Sequence, residues 1–167
     1  GRPYFGYMRG RYTADELRAV DDYAYAYGIE MIPCIQTLAH LQGALRWQCF
    51  DEVKDCNNIL LCGEEKTYTF IEAMIRTCRN CFRTKRIHIG MDEAFNLGRG
   101  KHLDIHGYEP VNTIIKRHLA RVCEIAKKYR YEPMMWSDMF FAETTNHKYY
   151  CGKRKCPKRQ SMRCRRT

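Results

Sequence analysis

The sequence predicts an α/β fold in which parallel strands alternate with helices. Three short apolar runs, at 29–36, 86–91 and 132–136, each follow an amphipathic segment of helical period. The resulting order of helix, strand, helix, strand, helix, strand is satisfied by parallel strands joined through right-handed crossovers. The connections after the strands are long and polar, whereas the joins from helix into strand, such as the one at Gly28, are short. A chain of 167 residues can bury a proper core as one domain, but it falls short of the roughly 250 residues of a complete eight-stranded α/β barrel.

Residues 4–11 are aromatic and glycine-rich, a loop feeding the first helix. Thr13 caps that helix and Glu16, three residues on, completes a capping box; Leu17, Val20, Ala24 and Tyr27 form its apolar stripe before Gly28 stops it. The first strand, IEMIPCIQ at 29–36, is apolar on both faces, as in strands covered by helices, although Pro33 cannot donate to a ladder. Residues 37–61 form a long connection with a short helix expected at 41–46. The second helix spans 67–82, with Phe70, Ile71, Met74, Ile75, Cys78 and Phe82 on its buried face. After the second strand, 94–108 is too polar and glycine-rich for a core element. The third helix, 112–129, buries Ile115, Leu119, Val122 and Ala126, and the third strand, EPMMW, follows.

The net charge of +10 is uneven: residues 142–167 hold nine Lys or Arg against Glu143 alone, giving +8 and leaving +2 for the rest. Two regions are therefore expected, 1–141 as the near-neutral folded body and 142–167 as a basic Cys/Arg-rich tail that is disordered or out of frame. Read as functional, such a tail would contact nucleic acid, a partner the tail's lack of pattern does not favour. Ten cysteines, with one tight pair at Cys78 and Cys81 inside a helix, fit buried reduced thiols better than a zinc site or a disulfide framework. With no signal-peptide pattern and no run of eighteen apolar residues, a cytoplasmic location without membrane contact is expected.

The chemistry gathers where the strands stop. His40, the pair Asp92 and Glu93, and Trp136 with Asp138 all fall at or just beyond the carboxyl ends of the three strands, the edge on which active sites of such folds lie. Two adjacent carboxylates repel, so a fold that brings them together raises the pKa of one toward neutrality. An acid pair beside an aromatic wall suits sugar chemistry, one carboxyl protonating a leaving oxygen while an indole stacks on a pyranose. His102 and His106 flank Asp104 and, with Asp92, offer a second reading as a metal-dependent hydrolase. His88, inside its strand, is read as a structural hydrogen-bonding residue, and Arg99 and Lys101 as loop cations facing either an acidic sugar or water.

The segment HIGMDE, preceded by GIEMIPCIQTLAHLQ and followed by MMWSDMF, resembles family 20 glycoside hydrolases, the β-N-acetylhexosaminidases, from about Pro3 to Phe141. The resemblance implies a fragment of a TIM (β/α)8 barrel and retaining, exo-acting hydrolysis of terminal β-linked GlcNAc or GalNAc. It makes Glu93 the general acid/base and Asp92 the group that orients the substrate's 2-acetamido group, whose oxygen acts as nucleophile. His40 and Trp136 would line the sugar subsite with Asp138 beside them; no cofactor is implied. Met91 stands where the family commonly has a second glycine, which makes the local turn less permissive. Family pocket residues expected before Gly1 and after Phe141 are missing, so the chain alone is expected to be inactive and to associate through unpaired barrel edges.

Overall fold

The computed structural model describes residues 4–140. Its elements are α1 (Ala14–Ala26), α2 (Gln42–Leu45), β1 (Lys54–Cys56), β2 (Ile59–Leu60), α3 (Glu65–Cys81), β3 (Arg86–His88), α4 (Lys101–His106), α5 (Val111–Lys128) and β4 (Glu132–Met134). The basic tail, with its three cysteines and its nucleic-acid reading, lies outside the described residues.

The expected parallel arrangement is present, with β3 at its centre. β3 pairs with β4 in parallel, Ile87 opposite Pro133. On its other side His88 pairs in parallel with Cys34, and the His88 amide donates to Pro33 O while Ile35 N donates to His88 O, both at 2.9 Å. The segment expected as a full strand at 29–36 is thus paired only near its end. Pro33, which cannot donate, contributes its carbonyl instead.

One face of this small sheet is closed by helices. α3 packs against both α1 and α5, and the side chains of Ile87 and Ile89 are fully buried in one cluster with Ile71 and Ile75 of α3 and Ile114, Ile115 and Val122 of α5. Each such side chain contributes about 1.5–3 kcal/mol through burial. The other face is open: Cys34, Met134 and Trp136 are exposed. The expectation of strands covered on both faces therefore fails for the residues that alternate with this core. The described residues make a segment of parallel α/β structure and no closed barrel.

Thr13 caps α1 as expected, with Glu16 returning the capping-box bond to the Thr13 amide at 2.7 Å. The stripe predicted for that helix is not its anchor. Val20 and Tyr27 are exposed, Leu17 and Ala24 half-buried, and the buried residue of α1 is Asp21. Its carboxylate accepts from Arg83 Nε at 2.7 Å and from the Arg83 amide at 3.3 Å, so a charged clamp ties α1 to the approach to β3.

Both long connections hold more structure than expected. Besides the short helix expected at 41–46, which is α2, the first contains a 3-10 turn at Gln48–Val53 and the antiparallel hairpin of β1 and β2. The second contains α4, bounded by Gly100 and Gly107. Asp55 of β1 is buried and joins the two, accepting from His102 N and Gly98 N, both at 2.8 Å. Of the seven described cysteines, Cys62 and Cys81 are buried, while Cys34 and Cys49 are exposed, so burial does not account for that exposed pair. Burial pushes the Cys78 thiol up to about 11, which keeps it protonated and unreactive.

Helix α5 also reaches the first strand through a polar group. His118 lies fully buried on the helix's apolar face, and its Nε2 donates to Thr37 O at 2.9 Å. That bond leaves Nδ1 as the acceptor facing Tyr68 Oη at 3.4 Å. Thr37 Oγ1 in turn donates to Ile89 O at 2.8 Å, so the strand end that leads to His40 is held from two sides. Burial lowers the His118 pKa to about 4, and the ring is neutral at pH 7. Between pH 6.5 and 4 the unfolded chain takes up a proton that folded His118 refuses, so stability falls as pH drops through that window. The loss is on the order of 3 kcal/mol. Urea midpoints at pH 7 and 4.5 are expected to differ less in His118→Gln than in the wild type; an equal difference would place the acid sensitivity elsewhere.

Candidate active site

The end of β3 cannot continue as a strand. Gly90, Met91 and Glu93 have φ of +72, +80 and +51°, and positive φ at a residue with a side chain is held only where its surroundings dictate it. At Gly90 a Cβ would collide with the Gln36 side chain and stand 3.0 Å from Ile35 O, so only glycine permits the two strand ends to approach this closely. Met91 takes its left-handed conformation with a fully buried side chain, at the position where the family resemblance expects glycine. The Trp136 amide donates to Gly90 O at 3.0 Å, which extends the pairing of β4 up to the turn.

This turn lets adjacent carboxylates share one region, which a regular strand would forbid because successive side chains alternate. His40 Nε2 lies 3.1 Å from Asp92 Oδ2 and 3.6 Å from Glu93 Oε2. His40 itself has φ +58°, so both sides of this contact rest on unusual backbone. The ring N–H makes no aligned hydrogen bond to either carboxylate; the approach is a charge contact, favourable when the imidazole is protonated.

Two further residues steady the pair. Gln36 Nε2 donates to Asp92 Oδ1 at 3.2 Å, which fixes that carboxylate between Gln36 and His40. Asp138 Oδ2 accepts from the Glu93 amide at 3.0 Å and so holds the acid's backbone. Asp138 Oδ1 and Gln36 Oε1 are buried and have no protein partner, leaving two acceptors free in the region. Gln36 was not singled out by sequence reasoning. Its place at the strand end, four residues before His40, was the available signal.

Of the five predicted residues, the structure brings His40, Asp92 and Glu93 together and joins Asp138 to them through the Glu93 amide. Trp136 stands at the same strand-end level, its ring 5.0 Å from that of His88 and more than half exposed. Glu93 is the more open of the two acids: its side chain is 61% exposed, against 22% for Asp92. The sheet face on which a covering wall would stand is open among the described residues. His88 holds its predicted structural place, Nδ1 accepting from the Gly90 amide at 3.2 Å.

The metal reading through Asp92, His102 and His106 is not met. Among the described residues no group of three or more His, Cys, Asp or Glu is placed to hold a metal ion. His102 is fully buried, with Nε2 2.8 Å from Glu109 Oε2 and Nδ1 3.2 Å from Cys62 O, while His106 Nε2 faces Glu64 at 3.3 Å. The Arg117 guanidinium and His102 together hold the Glu109 carboxyl down at about 2. These histidines brace α4 rather than reaching Asp92. Arg99 and Lys101 also serve the protein itself, Arg99 lying over Tyr108 and Lys101 donating to Asp51 O at 3.2 Å. No helix among the described residues is long and apolar enough to cross a membrane.

The family model for the glycosyl hydrolase family 20 catalytic domain matches residues 6–153. Among curated proteins the chain is 25% identical over 151 residues to Hexosaminidase D of Bos taurus, covering 82% of this chain and 44% of that protein. It is 24% identical to Hexosaminidase D of Homo sapiens, covering 31% of that protein. The chain thus spans less than half the length of these relatives. Solved structures share the fold: a β-N-acetylhexosaminidase from Bacteroides fragilis superposes with a TM-score of 0.65 at 21% identity, covering 80% of this chain and 29% of that one. The GH20 β-N-acetylhexosaminidase from Streptomyces coelicolor gives 0.64 at 21%, with coverages of 81% and 27%. With the family match running through the three strands and the turn that carries the acid pair, the chain belongs to glycosyl hydrolase family 20, of whose catalytic domain it is a part.

Proposed function

We propose that this chain carries the catalytic acid pair of a retaining, exo-acting β-N-acetylhexosaminidase that removes terminal β-linked GlcNAc or GalNAc. The observation that carries the proposal is the convergence of His40 on both carboxylates, at 3.1 and 3.6 Å, beyond the carboxyl ends of parallel strands. The family match and the names of the curated relatives support the same reading.

In this mechanism Glu93 gives its proton to the glycosidic oxygen as the bond to the anomeric carbon breaks. The substrate's own acetamido oxygen attacks that carbon, and Asp92 holds the acetamido N–H and offsets the positive charge of the oxazolinium ion that forms. Glu93, now ionised, takes a proton from water, which opens the ring with net retention. Asp92 is suited to the fixed role because Gln36 and His40 hold it, whereas the exposed Glu93 carboxyl meets the incoming leaving group. Trp136 offers an exposed indole for the apolar face of the sugar. Asp138 acts as a positioning residue through the Glu93 amide.

The chain by itself is proposed to turn over little substrate. Glu93 and Trp136 are open to water, and among the described residues the 33–37 segment and β4 each pair on one side only. Such edges invite pairing with another chain.

In an enzyme carrying the whole catalytic domain around this sequence, Glu93→Gln is expected to lower kcat/KM on unactivated glycosides by about 10²–10⁴-fold, with a smaller loss on substrates whose leaving group needs no proton. Asp92→Asn is expected to abolish the advantage of N-acetylated substrates over analogues lacking the acetamido group. Near-wild-type turnover of an unactivated N-acetyl substrate by either variant would remove the assignment. For the 167-residue chain, a chromogenic GlcNAc glycoside is expected to show negligible hydrolysis, and sedimentation velocity to show concentration-dependent association; full activity as a monomer would contradict this.

A further inference from the structure

The loop that leaves the acid pair is seated by charged groups. After Glu93 it runs through buried Ala94 and Leu97 into α4 and on to α5. It lies so close to β1 that a Cβ at Gly100 would stand 2.3 Å from Asp55 O. At the middle of this seat is His102, whose side chain is wholly buried.

Both nitrogens of that ring face oxygens that can only accept. Nε2 lies 2.8 Å from Glu109 Oε2 and Nδ1 lies 3.2 Å from Cys62 O. A carbonyl never donates, and the Glu109 carboxylate, gripped by the Arg117 guanidinium at 3.0 and 2.8 Å, carries no proton at neutral pH. A neutral imidazole has one N–H and one lone pair, so it would set a buried lone pair against an oxygen. The imidazolium donates to both. His118 is the opposite case in the same protein: its Nδ1 faces the Tyr68 hydroxyl, which can donate, and its ring is neutral.

The charges around the ring also balance. Asp55 commits both carboxylate oxygens, one to the His102 amide and one to the Gly98 amide. With Glu109 it sets two negative charges against Arg117 and the His102 imidazolium. A neutral ring would leave one negative charge in excess beside the buried Asp55, which is costly. Burial pushes up both the Cys62 thiol and the Tyr68 phenol, so neither adds a charge here. His106, its ring 4.7 Å from that of His102, has Glu64 as its own partner at 3.3 Å.

We propose that His102 is a buried imidazolium acting as a pH-sensitive latch: while protonated it ties the loop leaving Asp92 and Glu93 to the chain that runs from His40 into α3, and loss of its proton at alkaline pH releases α4. The protonated ring stabilises the seated loop. As the pH rises and the proton goes to solvent, one nitrogen turns a lone pair on its oxygen and that contribution is lost. The sign is opposite to that of His118, which weakens the fold on the acid side. The latch joins two loops of the candidate active site and stands whatever the acid pair acts on.

Trypsin cleaves after Arg99 and Lys101, both on this loop, so cleavage reports the open population. In the 167-residue chain, the rate at these two bonds, measured against a free peptide of residues 96–106 in the same buffer, is expected to rise about tenfold between pH 7 and 9, the scale of one lost charge-assisted hydrogen bond. Glu109→Gln, which removes the counter-charge, is expected to open the loop already at pH 7, whereas His106→Gln is expected to keep the wild-type response. Nitrogen NMR of the histidine-labelled wild-type chain is expected to show both His102 ring nitrogens protonated at pH 7, a reading that needs no substitution. An unprotonated His102 nitrogen at pH 7, cleavage that does not change with pH, a closed loop in Glu109→Gln at pH 7, or a response that vanishes in His106→Gln would each overturn the latch.

Discussion

The site depends on β3 being bonded on both sides at the same height. His88 exchanges hydrogen bonds with Pro33 and Ile35, Ile89 donates to Met134 O, and Gly90 accepts from Trp136. These bonds set the three strand ends level, so what each strand releases into its loop arrives in one place. His40 comes from one neighbour, Trp136 and Asp138 from the other, and the acid pair from β3 itself. The register of the central strand therefore decides the chemistry, since a slip by one residue would turn Asp92 and Glu93 away from His40.

That register is held by two layers of different character. On the helix side it is apolar burial, through Ile87 and Ile89 against α3 and α5. Near the strand ends it is polar: His118 on Thr37, Thr37 on Ile89, Gln36 on Asp92 and Asp138 on the Glu93 amide. Apolar packing tolerates small shifts, but hydrogen bonds lose most of their value when misaligned. The polar layer therefore sits where geometry must be exact, beside a turn whose left-handed residues cost about 1–3 kcal/mol each.

Much of this was legible in the sequence. The capping box at Thr13, the periodicity of α3 and α5 and the position of the acid pair at a strand end all follow from local rules, and each stands in the structure. The parallel direction followed from the order of elements. What local rules missed was set by distant partners. The hairpin of β1 and β2 and the helix α4 are too short for a period to register, and they form around Asp55, whose role depends on amides more than forty residues away. The apolar stripe of α1 misled because Asp21, not the stripe, meets the neighbouring structure. His102 looked like a ligand by composition, whereas its ring is committed to Glu109 and Cys62 O. In the candidate site, residue types marked His40, Asp92 and Glu93, but Gln36 had only its place at a strand end to mark it, and its role rests on its bond to Asp92.

The most direct measurement is a crystal structure of the chain with a bicyclic mimic of the oxazolinium ion. The account requires the mimic's ring nitrogen to donate to Asp92, the Glu93 carboxyl to lie within hydrogen-bond reach of the anomeric substituent, and the Trp136 indole to lie against the pyranose. A mimic bound elsewhere, or Asp92 and Glu93 turned to opposite faces of the sheet, would contradict it.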